Sequence, residues 1–207
     1  MPPQDDPAPL LCLASNSPRR RALLEQIGVP HVVRAADIDE AVLPGESAAV
    51  YVARMACSKS LAVRERGMAL PVLAADTVVV VDGELCGKPA DEADGVAMLE
   101  RLSGRTHQVL TAVALTRAQG APSLRLSASA VRFRTLTRAE CLAYWRTGEG
   151  RDKAGGYAIQ GWAAVFIEHL SGSYSGVMGL PLFETAQLLA AAGVPSWFGR
   201  IPEEAVP

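Results

Sequence analysis

Asp76 constrains this chain more than any other residue. It sits in Pro71 to Val81, a run that is otherwise almost continuously apolar and β-branched, interrupted only by Asp76-Thr77. Such a run reads as a buried strand. An ionised carboxylate placed there costs several kcal/mol unless a cation or hydrogen bonds compensate it. Either the strand ends and the chain emerges at that point, or the carboxylate has a task; charges are rarely buried without a partner, which favours the second reading.

The rest of the 207-residue chain alternates short apolar runs with helical patterns. Leu10 to Ser15 predicts a strand and Pro18 to Ile27 a helix, with Ser17 as N-cap, proline in the first turn and Gly28 as the stop. His31 to Ala36 predicts a strand, and Asp37 to Glu46 a loop. Ser47 to Arg66 predicts a helix with Val50, Ala53, Ala56 or Cys57 and Leu61 on one side. Asp82-Gly83 is a hairpin turn into Glu84 to Cys86, and Asp91 to Leu102 is a helix capped by Asp91. His107 to Thr116 and Leu124 to Leu136 predict long strands, and Thr137-x-x-Glu140 is a capping box opening a helix to about Trp145. Glycine-rich loops over Gly148 to Gly156 and Ser171 to Leu180 flank a strand over Ala163 to Leu170, and Pro181 to Ala192 closes as a helix. This order is not a regular βαβ alternation. It implies one α/β unit, a mixed, twisted sheet with helices at its sides and a hairpin-rich half. The expected division is a flexible extension over 1–9, one domain over 10–193 and a tail over 194–207. In that tail Trp197 and Phe198 can pack on a second copy, in a homodimer, or on their own subunit.

A net charge of −2, a pI of about 5.9 and few aromatic residues argue against a nucleic-acid binder. No apolar run approaches the ~18 residues of a membrane helix, and the first residues lack the basic start and apolar segment of a signal peptide. Four scattered cysteines fit free thiols in a reducing cytoplasm.

With nearly balanced charge, an anionic ligand has to be met by a local positive cluster. Ser15-Asn16-Ser17-Pro18-Arg19-Arg20 brings two arginines and free backbone N–H groups to a helix start, which suits phosphate; its plain reading is a capped helix with solvated arginines. Asp39 and Glu40, an acidic loop pair of the usual solvated kind if taken alone, can join Asp76 as hard oxygen ligands for Mg²⁺ or Mn²⁺. Lys59, a surface charge in its ordinary reading, Lys88 between Gly87 and Pro89, and Lys153 add positive charge; Gln160 can offer its amide to a base edge. Neither G-x-x-x-x-G-K-[ST] nor G-x-G-x-x-G occurs.

Taken together and in order, Leu13-Ala14-Ser15-x-Ser17-Pro18-Arg19-Arg20, Ala75-Asp76-Thr77, Gly87-Lys88-Pro89, Ser103-Gly104-x-Thr106-His107, Asp152-Lys153-Ala154-Gly155-Gly156-Tyr157-x-Ile159-Gln160-Gly161, Gly172-Ser173-Tyr174 and Gly179-Leu180-Pro181 resemble the Maf family of nucleoside triphosphate pyrophosphatases. The resemblance runs from about Leu10 to Gly193. It implies a two-lobed α/β fold like that of inosine triphosphate pyrophosphatases, with the cleft between the lobes. It also implies hydrolysis of a nucleoside triphosphate to monophosphate and pyrophosphate with a divalent cation.

By the same resemblance Asp76 accepts a proton from water, directly or through the metal, and Glu40 with Asp76 holds the metal. Ser15, Ser17, Arg20, Lys59 and Lys88 hold the phosphates, and Arg19, Thr77 and Gln160 tune base choice. The string ending at Gly161 is similar to the branch acting on dTTP and UTP; a sister branch prefers 7-methyl-GTP. The family is linked to removal of modified nucleotides and to arrest of septum formation, so a nucleotide sensor without turnover is the alternative. Two departures stand out. Gly176 replaces a frequent Asn, implying a looser loop, and Arg21 extends the arginine pair as a solvated neighbour.

Overall fold

A computed structural model describes residues 7–196; Trp197 and Phe198 lie outside the described residues. In chain order the elements are β1 (Leu11–Leu13), α1 (Pro18–Gln26), β2 (His31–Val33), α2 (Ala48–Glu65), β3 (Val72–Val81), β4 (Glu84–Cys86) and α3 (Glu92–Leu102). There follow β5 (Thr106–Thr116), β6 (Ser123–Phe133), α4 (Arg138–Arg146), β7 (Ile167–Ser171), α5 (Tyr174–Met178) and α6 (Leu182–Ala191). The strands form one mixed sheet in the order β2-β1-β3-β5-β6-β7, with β4 paired to the end of β3. β1 runs parallel to β2 and β3, and the remaining pairings are antiparallel. No helix among the described residues is long and apolar enough to cross a membrane.

Long strand β3 explains the two lobes. Side chains alternate between the faces of a strand. On one face Leu73 and Ala75 join α1 and α6 in one apolar cluster. Further along the same face Val79 and Val81 join α3 and α4 in another. Thr77 lies between the two. On the opposite face Val72 and Ala74, then Val78, pack under α2, with Asp76 among them.

Local signals form as read. Ser17, Asp91 and Thr137 cap their helices through their side chains, Thr137 within a complete capping box, and Ser47 caps α2 in the same way. Asp82 and Gly83 adopt φ of 55° and 79°, the pair of positive angles a two-residue hairpin turn requires.

Four expectations are corrected. The buried face of α2 is Tyr51, Val52, Met55, Ala56, Lys59, Ser60 and Val63, while Val50 is exposed. The helix is turned so that two polar residues face inward, and apolarity alone pointed to the wrong stripe. The first half of Ala163 to Leu170 is a 3₁₀ helix, Trp162–Phe166, because Ala163 and Phe166, three apart, both turn into the core. The Ser171 to Leu180 segment contains α5, capped by Ser173 and ended by Gly179 at φ 117°. Gly176 is accordingly not in a loose loop: it is buried in α5, and its carbonyl accepts a hydrogen bond from Thr111 at 2.8 Å.

His107 on β5 lies 2% exposed among Phe133 and Tyr157, with ring centroids 5.1 and 5.4 Å away. Its Nε2 pairs with the Tyr157 hydroxyl at 2.8 Å, and burial pushes its pKa from 6.5 down to about 4. In that interval the unfolded chain binds a proton that the folded chain refuses. The contribution to stability is therefore complete above pH 6.5 and declines as pH falls toward about 4, by roughly 3 kcal/mol. In urea unfolding across this range, His107→Gln should lose that part of the pH slope; an unchanged slope would show that the imidazole is not held neutral.

Candidate active-site cleft

The buried aspartate has its cation. Lys59, on the inward stripe of α2, places Nζ 2.7 Å from Asp76 Oδ1 and 2.8 Å from Glu40 Oε1. The Lys59 and Asp76 side chains are each 10% exposed, whereas Glu40 reaches in from the loop and remains 48% exposed. Burial alone would raise the Glu40 carboxyl; the hydrogen bond from Lys59 and the charges of Lys59, Lys88 and Arg20 outweigh it and hold the group below its ordinary value.

The same helix fixes the loop that carries Glu40. Tyr51 donates its hydroxyl hydrogen to the Glu40 carbonyl at 3.0 Å. Arg54 grips both oxygens of Glu46 at 2.6 Å and donates to the Ala41 carbonyl at 2.9 Å. Burial first, then the charges of Asp76 and Glu40, push the Tyr51 phenol up to about 12, so it stays a donor at neutral pH.

Across β3, Thr77 faces the start of α1. Its hydroxyl lies 3.0 Å from that of Thr111 and accepts from Arg20 at 3.4 Å. Arg20 also donates to the Gly179 carbonyl at 2.8 Å and to Ser15 Oγ at 3.3 Å. Burial lowers the Arg20 pKa from its usual value, with Asp76 opposing, and a guanidinium stays charged regardless. Gly179 has a φ of 117°, which favours glycine; the space beside Arg20 would itself admit a Cβ. Arg19 donates to the Met178 carbonyl at 3.4 Å and pairs with Asp152 at 3.6 Å.

Lys88, Asp152, Lys153 and the segment Tyr157 to Gln160 form the opposite wall of a cleft of about 660 Å³. Every residue to which the family resemblance gave a role lines it: Ser15, Ser17, Arg19, Arg20, Glu40, Lys59, Asp76, Thr77, Lys88 and Gln160. Asp39 does not join them; it is exposed and accepts the Ala41 N–H of its own loop at 2.9 Å. Arg21 also stays outside the main cleft, paired with Glu25 one turn on at 3.6 Å. Sequence reasoning missed Tyr51, which lines the cleft, and Thr111, which steadies Thr77. Both are ordinary core-type residues in their patterns, and only the pairing of Thr77 opposite Thr111 in β3 and β5 signals the second.

A divalent cation fits the donor set. Two carboxylates converge on one ammonium, each through a single oxygen, so the place already suits positive charge. Mg²⁺ is typically held by one or two carboxylates with water and phosphate completing the shell. No group of three or more His, Cys, Asp or Glu residues that could hold a metal occurs among the described residues, so Asp76 and Glu40 would need the substrate's oxygens.

The family described as Maf-like protein matches residues 10–192. A protein of Saccharophagus degradans named dTTP/UTP pyrophosphatase is 52% identical over 196 residues, covering 93% of each chain. A protein of the same name from Alkalilimnicola ehrlichii is 56% identical, covering 90% of this chain and 94% of its own. A third, from Nitrosomonas europaea, is 54% identical over 88% and 94%. A solved structure from Mycobacterium abscessus, titled nucleoside-triphosphatase / dITP/XTP pyrophosphatase, aligns over 61% of this chain and 75% of its own at a TM-score of 0.40 and 19% identity. That likeness is too distant to bear on the site.

Removing Lys59 leaves the two carboxylates facing each other without the ammonium that bridges them. Lys59→Met should cost about 3 kcal/mol in urea unfolding at pH 7. Glu40 is held below its usual 4.5 in the native protein, so its contribution is present above that pH and is lost as pH falls through the lowered value. The gap between variant and parent should therefore narrow on acidification; a gap independent of pH would contradict the ion-pair assignment.

Proposed function

The chain belongs to the Maf family, and from that premise we propose that it hydrolyses dTTP and UTP to the nucleoside monophosphate and pyrophosphate. The observation that carries the reading is the convergence of Asp76, Glu40, Lys59, Arg20 and Lys88 on the cleft that also holds Gln160. Relatives at 52% to 56% identity bear the name of this activity.

The reaction adds a water oxygen to the α-phosphorus and breaks the bond to the bridging oxygen, so that pyrophosphate leaves. A triphosphate brings about four negative charges, and most of the work is to position and stabilise them. Arg20 is aimed by Gly179, Ser15 and Thr77, and meets phosphate as a fixed fork. Lys88, exposed at the cleft wall, and Lys59 add point charges. Ser15, Ser17 and the N–H groups at the start of α1 add neutral donors.

Asp76 accepts the proton of the attacking water; Lys59 holds its Oδ1, and the other oxygen is left for this task. A bound Mg²⁺ or Mn²⁺ at Asp76 and Glu40 would supply charge neutralisation and a more acidic water. Gln160 carries both an acceptor and a donor, the complement of the N–H and carbonyl on the edge of thymine or uracil. Cytosine presents the opposite order. Arg19 and Thr77 shape the approach to that edge, at the side where α5 meets α1. We place the activity in the cytoplasm, a reading supported by four free cysteines whose thiols burial keeps protonated.

Pyrophosphate release from a nucleotide panel tests the proposal. Asp76→Asn should lower turnover of dTTP by 10² or more, on the order expected for loss of a general base, while nucleotide binding persists. Near-normal turnover in that variant would remove Asp76 from the chemistry. Equal rates for dTTP, dCTP and dATP in the parent protein would defeat the base assignment.

A further inference from the structure

Gln160 sits in a tight turn, closed by the Gly161 N–H on the Ala158 carbonyl at 3.1 Å. Both limbs of that turn are tied, one directly and one through Tyr144, to a carboxylate that does not line the cleft. Glu149 Oε1 accepts the Trp162 N–H at 3.1 Å, and Oε2 accepts the Tyr144 hydroxyl at 2.8 Å. The Tyr144 oxygen in turn accepts the Ala158 N–H at 3.0 Å. One carboxylate and one phenol thus span the segment from Ala158 to Trp162, with Gln160 at its middle.

The brace is itself anchored. Glu149 follows the end of α4; its N–H donates to Thr147 Oγ1 at 3.2 Å, and its carbonyl accepts Lys153 Nζ at 2.5 Å. Tyr144 is 3% exposed on α4, and burial first, then the hydrogen bond to Glu149, keeps its phenol protonated far above the ordinary range. It is a permanent donor to the carboxylate.

Gly161 makes the approach possible. Its φ is −116°, so glycine is not required for conformation, but a Cβ there would lie 1.7 Å from Glu149 Oε1. The carboxylate occupies the space that any other residue's side chain would take. Any side chain at position 161 would force the Glu149 carboxylate out of this place.

We infer that Glu149, acting with Tyr144, is a positioning residue for base selection: it sets the place of the Gln160 amide and so decides how well the cleft separates thymine and uracil from cytosine. This rests on the reading of Gln160 as the base-edge contact. Paired polar recognition discriminates strongly only when the group is held within a fraction of an ångström, and an error of about 1 Å can cost as much as 10²-fold. Glu149 stands in the turn after α4, outside the cleft, and touches no substrate, so its effect must pass through the turn that carries Gln160.

The test is the ratio of kcat/KM for dTTP to that for dCTP in Gln160→Ala, Glu149→Ala, the double variant, Glu149→Gln and Tyr144→Phe. Glu149→Ala should lower the ratio roughly tenfold or more, through a higher KM for dTTP, with kcat for dTTP within about threefold of the parent. The double variant should fall no further than Gln160→Ala, because the two act as one unit. Glu149→Gln keeps an acceptor toward Trp162 and should recover most of the ratio. If Glu149→Ala does not fold, Tyr144→Phe carries the test, since it keeps the ring and frees both the Ala158 N–H and Glu149 Oε2. An unchanged ratio in Glu149→Ala or Tyr144→Phe, with a lowered one in Gln160→Ala, would overturn the brace and leave the reading of Gln160 intact. An unchanged ratio in Gln160→Ala would overturn that reading itself, and the brace with it.

Discussion

One ammonium held between two carboxylates organises this protein. Taking Asp76 out of water in mid-strand is costly, and Lys59 offsets that cost only by giving up solvent itself. The exchange dictates the rotation of α2, which must turn Lys59 and Ser60 inward. It also dictates where the loop of Glu40 lies, because a second oxygen is drawn to the same nitrogen at 2.8 Å. A ligand entering the cleft meets charges that are already ordered, so little reorganisation remains to be done when a polyanion arrives.

Around that centre the sheet does the gathering. Asp76 and Thr77 are neighbours in sequence yet face opposite sides of β3, one toward α2 and the other toward α1 and α5. Two successive strand positions therefore recruit elements from both layers. Arg20 and Gly179 lie 159 residues apart and meet at 2.8 Å because α1 and α5 pack on the same face near Thr77. The lobes share β3 and β5 as continuous strands, and the cleft opens where the apolar clusters on that face part. A further set of polar contacts lies behind the cleft wall: His107 with Tyr157, and Tyr144 with Glu149. The first ties Tyr157 of the wall to β5, and the second ties Glu149, behind the wall, to α4, as a site that must hold its shape requires.

Much of the local structure was legible in the residues. Ser17-Pro18 and the Thr137–Glu140 box set helix starts through their own side chains, and Asp82-Gly83 sets a turn through its own backbone. Nothing distant has to be known for those. The face of α2 was not legible. Val50 is exposed and Lys59 buried, an inversion of ordinary preference that follows only from Asp76 lying opposite. The Trp162–Phe166 turn was read as strand because apolar content does not distinguish a buried 3₁₀ turn from a buried strand. Short α5 escaped because five residues are too few for a period to show.

The same division runs through the site. From the residues alone came the carboxylate in an apolar strand, the arginines at a helix start, and ordered motifs resembling one family, and the residues to which that resemblance gave a role line the cleft. Those features are carried by composition and spacing, which the unfolded chain already possesses. Tertiary structure decided that Asp39 stays outside and that Tyr51, Thr111, Tyr144 and Glu149 matter. Their contributions lie in distances across the sheet and around a turn, and such distances exist only once the chain has folded.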